Sequence, residues 1–265
     1  MSVRACGFVC CGALLLAGSA SCSGSPSASG QSPTGTTTGT TSGAPQAIPA
    51  VDASVMYAKF VGSATVTREG TNMVLRTTNV PDHKSPYFPT TDPRYQAYNG
   101  TNPQFQLNPN RIIEQQLVFR IPAAPAGVTN PSATPLGPIG VAVNGVAIFN
   151  QYAGPNQPLT GEINSFDQYA GHPQQTGVYH YHVEPLWITA NVGKDALIGV
   201  LLDGFPVYGP VENGQTLASA QLDAYHGHVG VTKEFPQGIY HYHVSADAPY
   251  INGSGFRGAA GTLGR

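Results

Sequence analysis

The sequence predicts an all-β fold: a sandwich-like or barrel-like single domain with an internal duplication of hairpin–turn–strand units and few short helices. Glycine (32) and proline (23) are abundant, as in turn-rich β proteins. No amphipathic helical pattern lasts more than a few turns. The string GVYHYHV at residues 177–183 returns as GIYHYHV at residues 238–244, and its tyrosines and valines favour extended backbone.

Residues 1–21 have the features of a secretory signal peptide. Arg4 precedes a short apolar run, and small residues lie immediately before Cys22. This order resembles the processing signal of bacterial lipoproteins, so Cys22 is predicted to carry a lipid that anchors the protein to a membrane. An ordinary secreted protein that is cleaved nearby is the alternative. The expected location is the cell envelope, outside the cytoplasm.

Residues 22–50 are rich in Ser, Thr, Gly and Pro and contain no charged residue. Such a segment cannot bury enough apolar surface to fold, so it is predicted to be a disordered tether, with a glycosylated stalk as the alternative. Residues 51–265 are predicted to form one domain. Only 10% of the chain is charged and its lysines and arginines form no run, which excludes nucleic acid as a partner.

The elements before the repeat are predicted in order along the chain. Residues 55–77 have the pattern of a hairpin that turns at residues 69–72. A proline-rich loop with Asp82 and His83 follows, and then residues 84–110 form a long irregular excursion, which in a compact domain is more often functional than idle. Residues 115–121 are predicted to be a strand that Pro122 ends.

An internal repeat relates residues 136–185 to residues 195–246. Each copy contains a hairpin, a turn that runs from an aspartate to Gly-His, and a Tyr-His strand, with offsets of 59, 56 and 61 positions between the copies. The hairpins turn at Asn144-Gly145 and Asp203-Gly204, the strongest short hairpin signal. Two copies are too few for a solenoid, so we expect them to pack with approximate two-fold symmetry. A short helix capped by Thr216 is expected over residues 217–225.

The histidines are concentrated in this repeat, where alternation along a strand places both histidines of each Tyr-His string on one face. The candidate metal ligands are His83, His172, His180, His182, His228, His241 and His243. The candidate carboxylate partners of their second ring nitrogens are Asp82, Asp167, Asp203 and Asp223. For Asp203, turn chemistry is the simpler interpretation. His226 corresponds to Ala170 in the first copy, so it is expected on the surface.

Imidazole is a common ligand of zinc, copper, iron and nickel. The mature chain nearly lacks thiolates and thioethers, which disfavours Cu(I) carriage, so zinc or Cu(II) is predicted. Three alternatives stay open. The histidines can serve a metal-dependent hydrolase or oxidoreductase, they can belong to a metal-free module that binds an extracellular ligand such as a carbohydrate on its tyrosine faces, or they can simply hydrogen-bond within a core.

Four stretches of the chain resemble the bacterial YHYH-domain proteins: residues 79–83, 179–182, 202–210 and 240–243, which read NVPDH, YHYH, LDGFPVYGP and YHYH. The resemblance covers most of residues 75–258. It implies a secreted or envelope-attached domain, and it implies no particular reaction.

Overall fold

A computed structural model describes residues 48–265, so the predictions for the signal peptide, Cys22 and most of the tether lie outside the described residues. The described part consists mainly of strands, with one α-helix, α1 (Leu186–Val192), and three short 3-10 helices. None of the helices in this part is long and apolar enough to cross a membrane. The all-β prediction is confirmed.

Sixteen strands occur within residues 48–265. In chain order they are β1 (Ala64–Glu69), β2 (Asn72–Thr77), β3 (Leu117–Pro122), β4 (Pro138–Ala142), β5 (Ala147–Phe149), β6 (Tyr152–Ala153), β7 (Gln157–Pro158), β8 (Gly171–Pro173), β9 (Tyr179–Tyr181), β10 (Leu197–Leu201), β11 (Pro206–Tyr208), β12 (Val211–Glu212), β13 (Gln215–Thr216), β14 (Gly227–Gly230), β15 (Ile239–His243) and β16 (Thr262–Gly264). The short strands β6 and β7 form one two-stranded ribbon, and β12 and β13 form another.

The smaller main sheet has four antiparallel strands in the order β1-β2-β3-β16. Its β1–β2 hairpin and the strand β3 lie where the sequence predicts them. The start of the predicted hairpin segment is different, because Ser54–Lys59 forms a 3-10 helix. This helix buries Met56 and Tyr57 in the core, and that burial favours the helix over continued strand pairing.

The larger sheet has eight strands in the order β14-β15-β11-β10-β4-β5-β9-β8. From its centre outward, each half contains a hairpin, then a Tyr-His strand paired in parallel, then an antiparallel edge strand that carries Gly-His. At the centre Val141 pairs with Val200, its own equivalent in the repeat. An approximate two-fold axis therefore passes between β4 and β10, and the duplication of hairpin–turn–strand units is confirmed.

One hydrophobic core joins the two main sheets. Leu75 and Phe119 from the smaller sheet belong to the same buried cluster as Val141 and Val200 from the larger one. Full burial of such side chains stabilises a fold by about 1.5–3 kcal/mol each. The arrangement is sandwich-like, and each Tyr-His strand, β9 and β15, is paired with a neighbouring strand on both sides.

The helix predicted over residues 217–225 is mostly absent. Only Ser219–Gln221 forms a single 3-10 turn, and Thr216 belongs to β13 instead of capping a helix. The Gln221 side chain accepts the backbone N–H of Ala218, which closes the turn locally. The chain then becomes extended at Leu222 and enters the turn of Asp223.

Candidate metal centres

Six of the candidate histidines form two groups, and each group also contains a glutamate. Site 1 consists of Glu162, His172, His180 and His182. Site 2 consists of Glu212, His228, His241 and His243. Within each group, one ligand atom from every residue lies within 4.8 Å of the others. The sequence leaves open whether the histidines share one site, and the structure has two.

Sheet register brings the histidines together. In the first copy His172 on β8 lies directly opposite His180 on β9, and in the second His228 on β14 lies opposite His241 on β15. The third histidine of each site follows two positions along the Tyr-His strand, so alternation places it on the same face. Two paired strands thus supply three imidazoles at each site.

The ligand atoms of each site are as close as a metal requires. In site 1, His180 Nε2 lies 3.1 Å from His172 Nε2 and 2.9 Å from His182 Nε2. Glu162 Oε1 lies 3.2 Å from His172 Nε2. Zinc with bonds of about 2.0–2.1 Å in tetrahedral geometry separates its ligand atoms by about 3.3 Å. The observed spacing matches that separation.

Site 2 has the same spacing. His228 Nε2 lies 3.1 Å from His241 Nε2 and 3.2 Å from His243 Nε2. The two oxygens of Glu212 lie 3.3 Å from His228 Nε2 and 3.4 Å from His241 Nε2. The carboxylate therefore faces two of the three imidazoles.

Backbone carbonyls fix the tautomers of His180, on β9, and of His182, which directly follows β9. His180 Nδ1 lies 3.0 Å from the carbonyl oxygen of Val178, and His182 Nδ1 lies 2.6 Å from that of Asn150. A carbonyl oxygen only accepts hydrogen bonds, so each Nδ1 must carry the proton and donate it. Each Nε2 is therefore left with a lone pair.

The third imidazole of site 1 is fixed by a hydroxyl. His172 Nδ1 lies 2.7 Å from Ser165 Oγ, and that hydroxyl donates to the carbonyl oxygen of Glu162 at 2.8 Å. Because the hydroxyl proton is already used, the serine oxygen accepts from His172 Nδ1–H. His172 therefore also turns an Nε2 lone pair toward the cluster.

Equivalent carbonyls hold the β15 histidines of site 2. His241 Nδ1 donates to the carbonyl of Ile239 at 3.0 Å, and His243 Nδ1 donates to that of Gly209 at 2.8 Å. These partners occupy the same repeat positions as Val178 and Asn150. The duplication has preserved the orientation of the ligands as well as their identity.

Burial disfavours the charged form of the histidines in the two YHYH strings. It lowers the pKa of His180 well below its usual value, and the neighbouring His172 and His182 lower it further. Burial also lowers the pKa of His182 to about 4 and that of His243 to about 4. The neutral form, which is the form that binds a metal, is thus favoured at neutral pH.

The aspartates before the Gly-His pairs organise turns instead of contacting the histidines. Asp167 Oδ1 accepts the backbone N–H groups of Tyr169 and Gly171 at 2.9 and 3.4 Å, and Oδ2 accepts the hydroxyl of Tyr179 at 2.9 Å. A Cβ at Gly171 would overlap the Tyr179 hydroxyl, so glycine is required there. The second copy repeats these bonds with Asp223, Tyr225, Gly227 and Tyr240.

Two other predicted carboxylate partners also lie away from the imidazoles. Asp203 Oδ2 accepts the Tyr242 hydroxyl at 2.6 Å, and its Oδ1 accepts Phe205 N–H at 3.3 Å within the hairpin turn, as turn chemistry predicts. Asp82 accepts the side-chain amide of Asn144. The prediction that these carboxylates orient the ligands is therefore corrected, because backbone carbonyls and Ser165 take that place.

His83 lies on the tyrosine side of β9. Its Nδ1 lies 3.0 Å from the carbonyl of Lys84, and its Nε2 lies 3.2 Å from the Tyr181 hydroxyl. Tyr181 points away from the histidine face of the strand, so the structure does not bring His83 to either of the two groups found among the described residues. Burial lowers the pKa of His83.

His226 is buried, contrary to the prediction of a surface position. Its Nδ1 donates to the carbonyl of His243 at 2.8 Å, and its Nε2 lies 3.0 Å from the hydroxyls of both Ser219 and Ser245. Position 226 has φ 73°, and its counterpart Ala170 has φ 66°. The two copies thus have the same turn backbone at this position. In the second copy the His226 side chain adds hydrogen bonds to His243 of β15 and to the two serines.

The two glutamates are the candidate ligands that sequence reasoning missed. Glu162 begins a 3-10 helix after the β6–β7 ribbon, whereas Glu212 lies in β12. They occupy different positions of the repeat, so the alignment of the two copies does not relate them. No local motif marks either residue, and only the folded chain brings them to the histidines.

Aromatic rings enclose site 1. The rings of Phe149 and His180 stack with centroids 3.8 Å apart, and Phe166 lies 4.8 Å from His172 and 5.8 Å from His182. The three histidines are almost completely buried. The imidazoles of site 1 therefore have almost no exposed surface, whereas its Glu162 side chain is 28% exposed.

Site 2 adjoins a pocket of about 300 Å³. Glu212, His241 and His243 contribute to its wall, as does Tyr208, the repeat equivalent of Phe149. The Tyr208 hydroxyl donates to Glu234 at 2.7 Å and lies 2.8 Å from Thr232 Oγ1. A solvent-connected space therefore meets the ligands of this site.

The tyrosines of the Tyr-His strands form part of the core. Tyr179, Tyr181, Tyr240 and Tyr242 are at most 1% exposed. Their hydroxyls bond to groups inside the domain. These faces offer no surface to a carbohydrate.

Comparison with known proteins identifies one family. A family model described as "YHYH protein" matches residues 118–217 and 211–258, which together cover more than half of the chain. No curated protein and no solved structure matches this chain.

Proposed function

This chain belongs to the YHYH protein family, and we propose that it is an exported, lipid-anchored protein of the cell envelope that binds a transition metal at two sites. Site 1 and site 2 each supply three imidazoles and one carboxylate. Zinc is the favoured metal, because this nitrogen and oxygen set at tetrahedral spacing suits it. Cu(II) is the second candidate.

One observation carries the proposal: lone pairs face each other in site 1. His180 Nε2 and His182 Nε2 lie 2.9 Å apart, yet both Nδ1 atoms donate to carbonyls. Two neutral imidazoles in this state cannot hydrogen-bond to each other. A shared proton is opposed by burial, which lowers both pKa values. A metal ion satisfies all the lone pairs at once.

Metal content of the full mature chain, purified without chelators, tests this proposal. We expect two metal ions per chain, and one in either His180→Asn or His241→Asn. The asparagine amide keeps the bond to the carbonyl of residue 178 or 239 while removing the Nε2 ligand. At metal a thousandfold above Kd, each lost ion lowers stability by about 4 kcal/mol, or the melting temperature by about 10 °C.

His83→Asn is the matched control, because it retains a donor for the Lys84 carbonyl and lies outside both groups. We expect it to keep both ions. Metal-free wild type that gains no thermal stability from zinc, copper, nickel or iron would overturn the proposal. Export and anchoring are tested separately by mass spectrometry of the mature N-terminus, where an unlipidated residue beyond Cys22 would contradict the anchor.

A metal-dependent hydrolase or oxidoreductase is the second candidate function. The pocket beside site 2 favours it, because catalysis at a metal needs space for a substrate. Site 1 offers no such space between Phe149 and Phe166. Any reaction is therefore assigned to site 2.

A further inference from the structure

We propose that site 2, and not site 1, binds a small carboxylate-bearing molecule from solution beside its metal. This inference rests on the proposed function, because the ligand needs a metal at site 2. Three features support it: the solvent exposure of site 2, the net charge of its metal centre and the apolar rim of the adjoining pocket.

Access differs sharply between the two sites. The His228 side chain is 32% exposed, whereas its repeat equivalent His172 is 3% exposed. The pocket of about 300 Å³ reaches Glu212, His241 and His243 directly. This volume lies at the lower end of the range for small-molecule sites. A compact ligand can therefore approach the ligands of site 2.

The charge at site 2 favours an anion. A divalent cation held by three neutral imidazoles and Glu212 leaves one net positive charge. Around it, the pocket wall contains two lysines and two further carboxylates, whose charges cancel: Lys59, Lys233, Asp195 and Glu234. The metal centre therefore determines the preference. A zinc ion held by four protein ligands would take the carboxylate oxygen as a fifth ligand.

The rim of the pocket favours an apolar body on that ligand. Val192 and Val231 line the pocket and are 55% and 66% exposed. Exposed aliphatic side chains beside a polar centre are typical of a ligand-binding cleft. A carboxylate joined to a small apolar group satisfies both parts of the pocket.

Cobalt(II) spectroscopy separates the two sites. His180→Asn leaves only site 2 able to hold cobalt, and His241→Asn leaves only site 1. Each full-length mature variant is loaded with cobalt and titrated with benzoate, or with benzamide as the neutral isostere. We expect benzoate to change the visible cobalt bands of His180→Asn with a Kd tighter than about 1 mM. Benzamide, and benzoate on His241→Asn, should leave the bands unchanged.

Val231→Trp, made in the His180→Asn background, tests whether benzoate binds in the pocket beside site 2. Its indole should fill the pocket and weaken benzoate binding about tenfold or more, or about 1.4 kcal/mol, while cobalt stays bound. Unchanged bands in cobalt-loaded His180→Asn, an equal response at site 1, an equal response to benzamide, or unaltered affinity in Val231→Trp would each overturn the inference. Failure of both variants to bind cobalt would instead refute the proposed function.

Discussion

Sites 1 and 2 have equivalent histidines held by equivalent backbone carbonyls, but the side chains and loops that surround the two clusters differ. Equivalent backbone carbonyls orient equivalent imidazoles, because the paired strands of the two copies have the same register. Phe149 closes one site, whereas Tyr208 lines a pocket beside the other. The sheet therefore determines which atoms converge, and the connecting segments determine what reaches them.

Two segments produce the difference. The long excursion 84–110 covers the side of site 1, where the Tyr87 hydroxyl donates to the carbonyl of Ser165 and the Asn108 amide donates to that of Pro173. In the second copy, the connection from Gly-His to the Tyr-His strand is instead longer by five residues, because seven positions separate His172 from Tyr179 and twelve separate His228 from Tyr240. Residues 231–234 of this longer connection form a wall of the pocket.

The largest expected effect is a loss of folding stability at acidic pH. It tests whether the two sites differ only in their exposure to solvent or also in how strongly they resist protonation. In metal-stripped protein, His182 and His243 have a pKa of about 4, below an unfolded value of 6.5. Between these values the unfolded state binds more protons, so stability falls as the pH falls. Each histidine contributes about 1.4 kcal/mol per pH unit.

His182 and His243 together should therefore account for a loss of about 4 kcal/mol between pH 7 and pH 5 in urea unfolding. The total loss should be larger, because burial also lowers the pKa of His83 and of His180. His182→Asn and His243→Asn should each reduce the loss by about 2 kcal/mol. Equal stability at the two pH values would contradict the buried, neutral state of both residues. Unequal shares would show that the sites also differ in how they exclude protons.

A smaller loss of stability is expected when the aspartate of either Gly-His turn is removed, and its size should differ between the two turns. Asp167→Ala removes the acceptor for two backbone N–H groups and for the Tyr179 hydroxyl, in a buried position. We expect a loss of about 2–3 kcal/mol and weaker metal binding at site 1 alone. Asp223→Ala, at an exposed position, should cost about 1 kcal/mol and weaken site 2 alone.

Thermal unfolding and cobalt titration measure both effects, and Glu114→Ala, an exposed carboxylate elsewhere, is the control. Weakening of the wrong site by either aspartate variant would show that these turns do not position the histidine that follows them.

The smallest effect comes from exchanging the two rings. Tyr208→Phe loses the hydroxyl bonds to Thr232 and Glu234 and should cost about 1 kcal/mol, with both metals retained. The reciprocal Phe149→Tyr places a hydroxyl in the closed site and should cost more, about 1–3 kcal/mol. Calorimetry compares the pair, and a larger loss in Tyr208→Phe would mean that site 1 is less enclosed than its packing indicates.

The features that depend on sequence periodicity and on turn motifs could be predicted from the sequence alone. Alternation and the repeat predicted which faces His180, His182, His241 and His243 share, and Asn-Gly and Asp-Gly predicted both central hairpins. Glu162 and Glu212 escaped prediction because they come from different elements of the two copies. The positions of His83 and His226 depend on packing between distant segments, which no local pattern encodes. The pocket beside site 2 likewise could not be predicted, because it depends on where the longer connection that contains residues 231–234 lies in the folded chain.

The pairing of Val141 with Val200 places identical positions of the two copies opposite each other at the middle of one sheet. This is the isologous contact of a two-fold dimer, here contained within a single chain. A chain with a single copy of the repeat would present the same edge to a second copy, and a pair joined in this way would carry two identical sites. Within one chain the two sites are encoded separately, so a substitution in one copy leaves the other copy unchanged. Cutting the present chain between them would expose β4 and β10 as bare edges, each a template for pairing with another molecule.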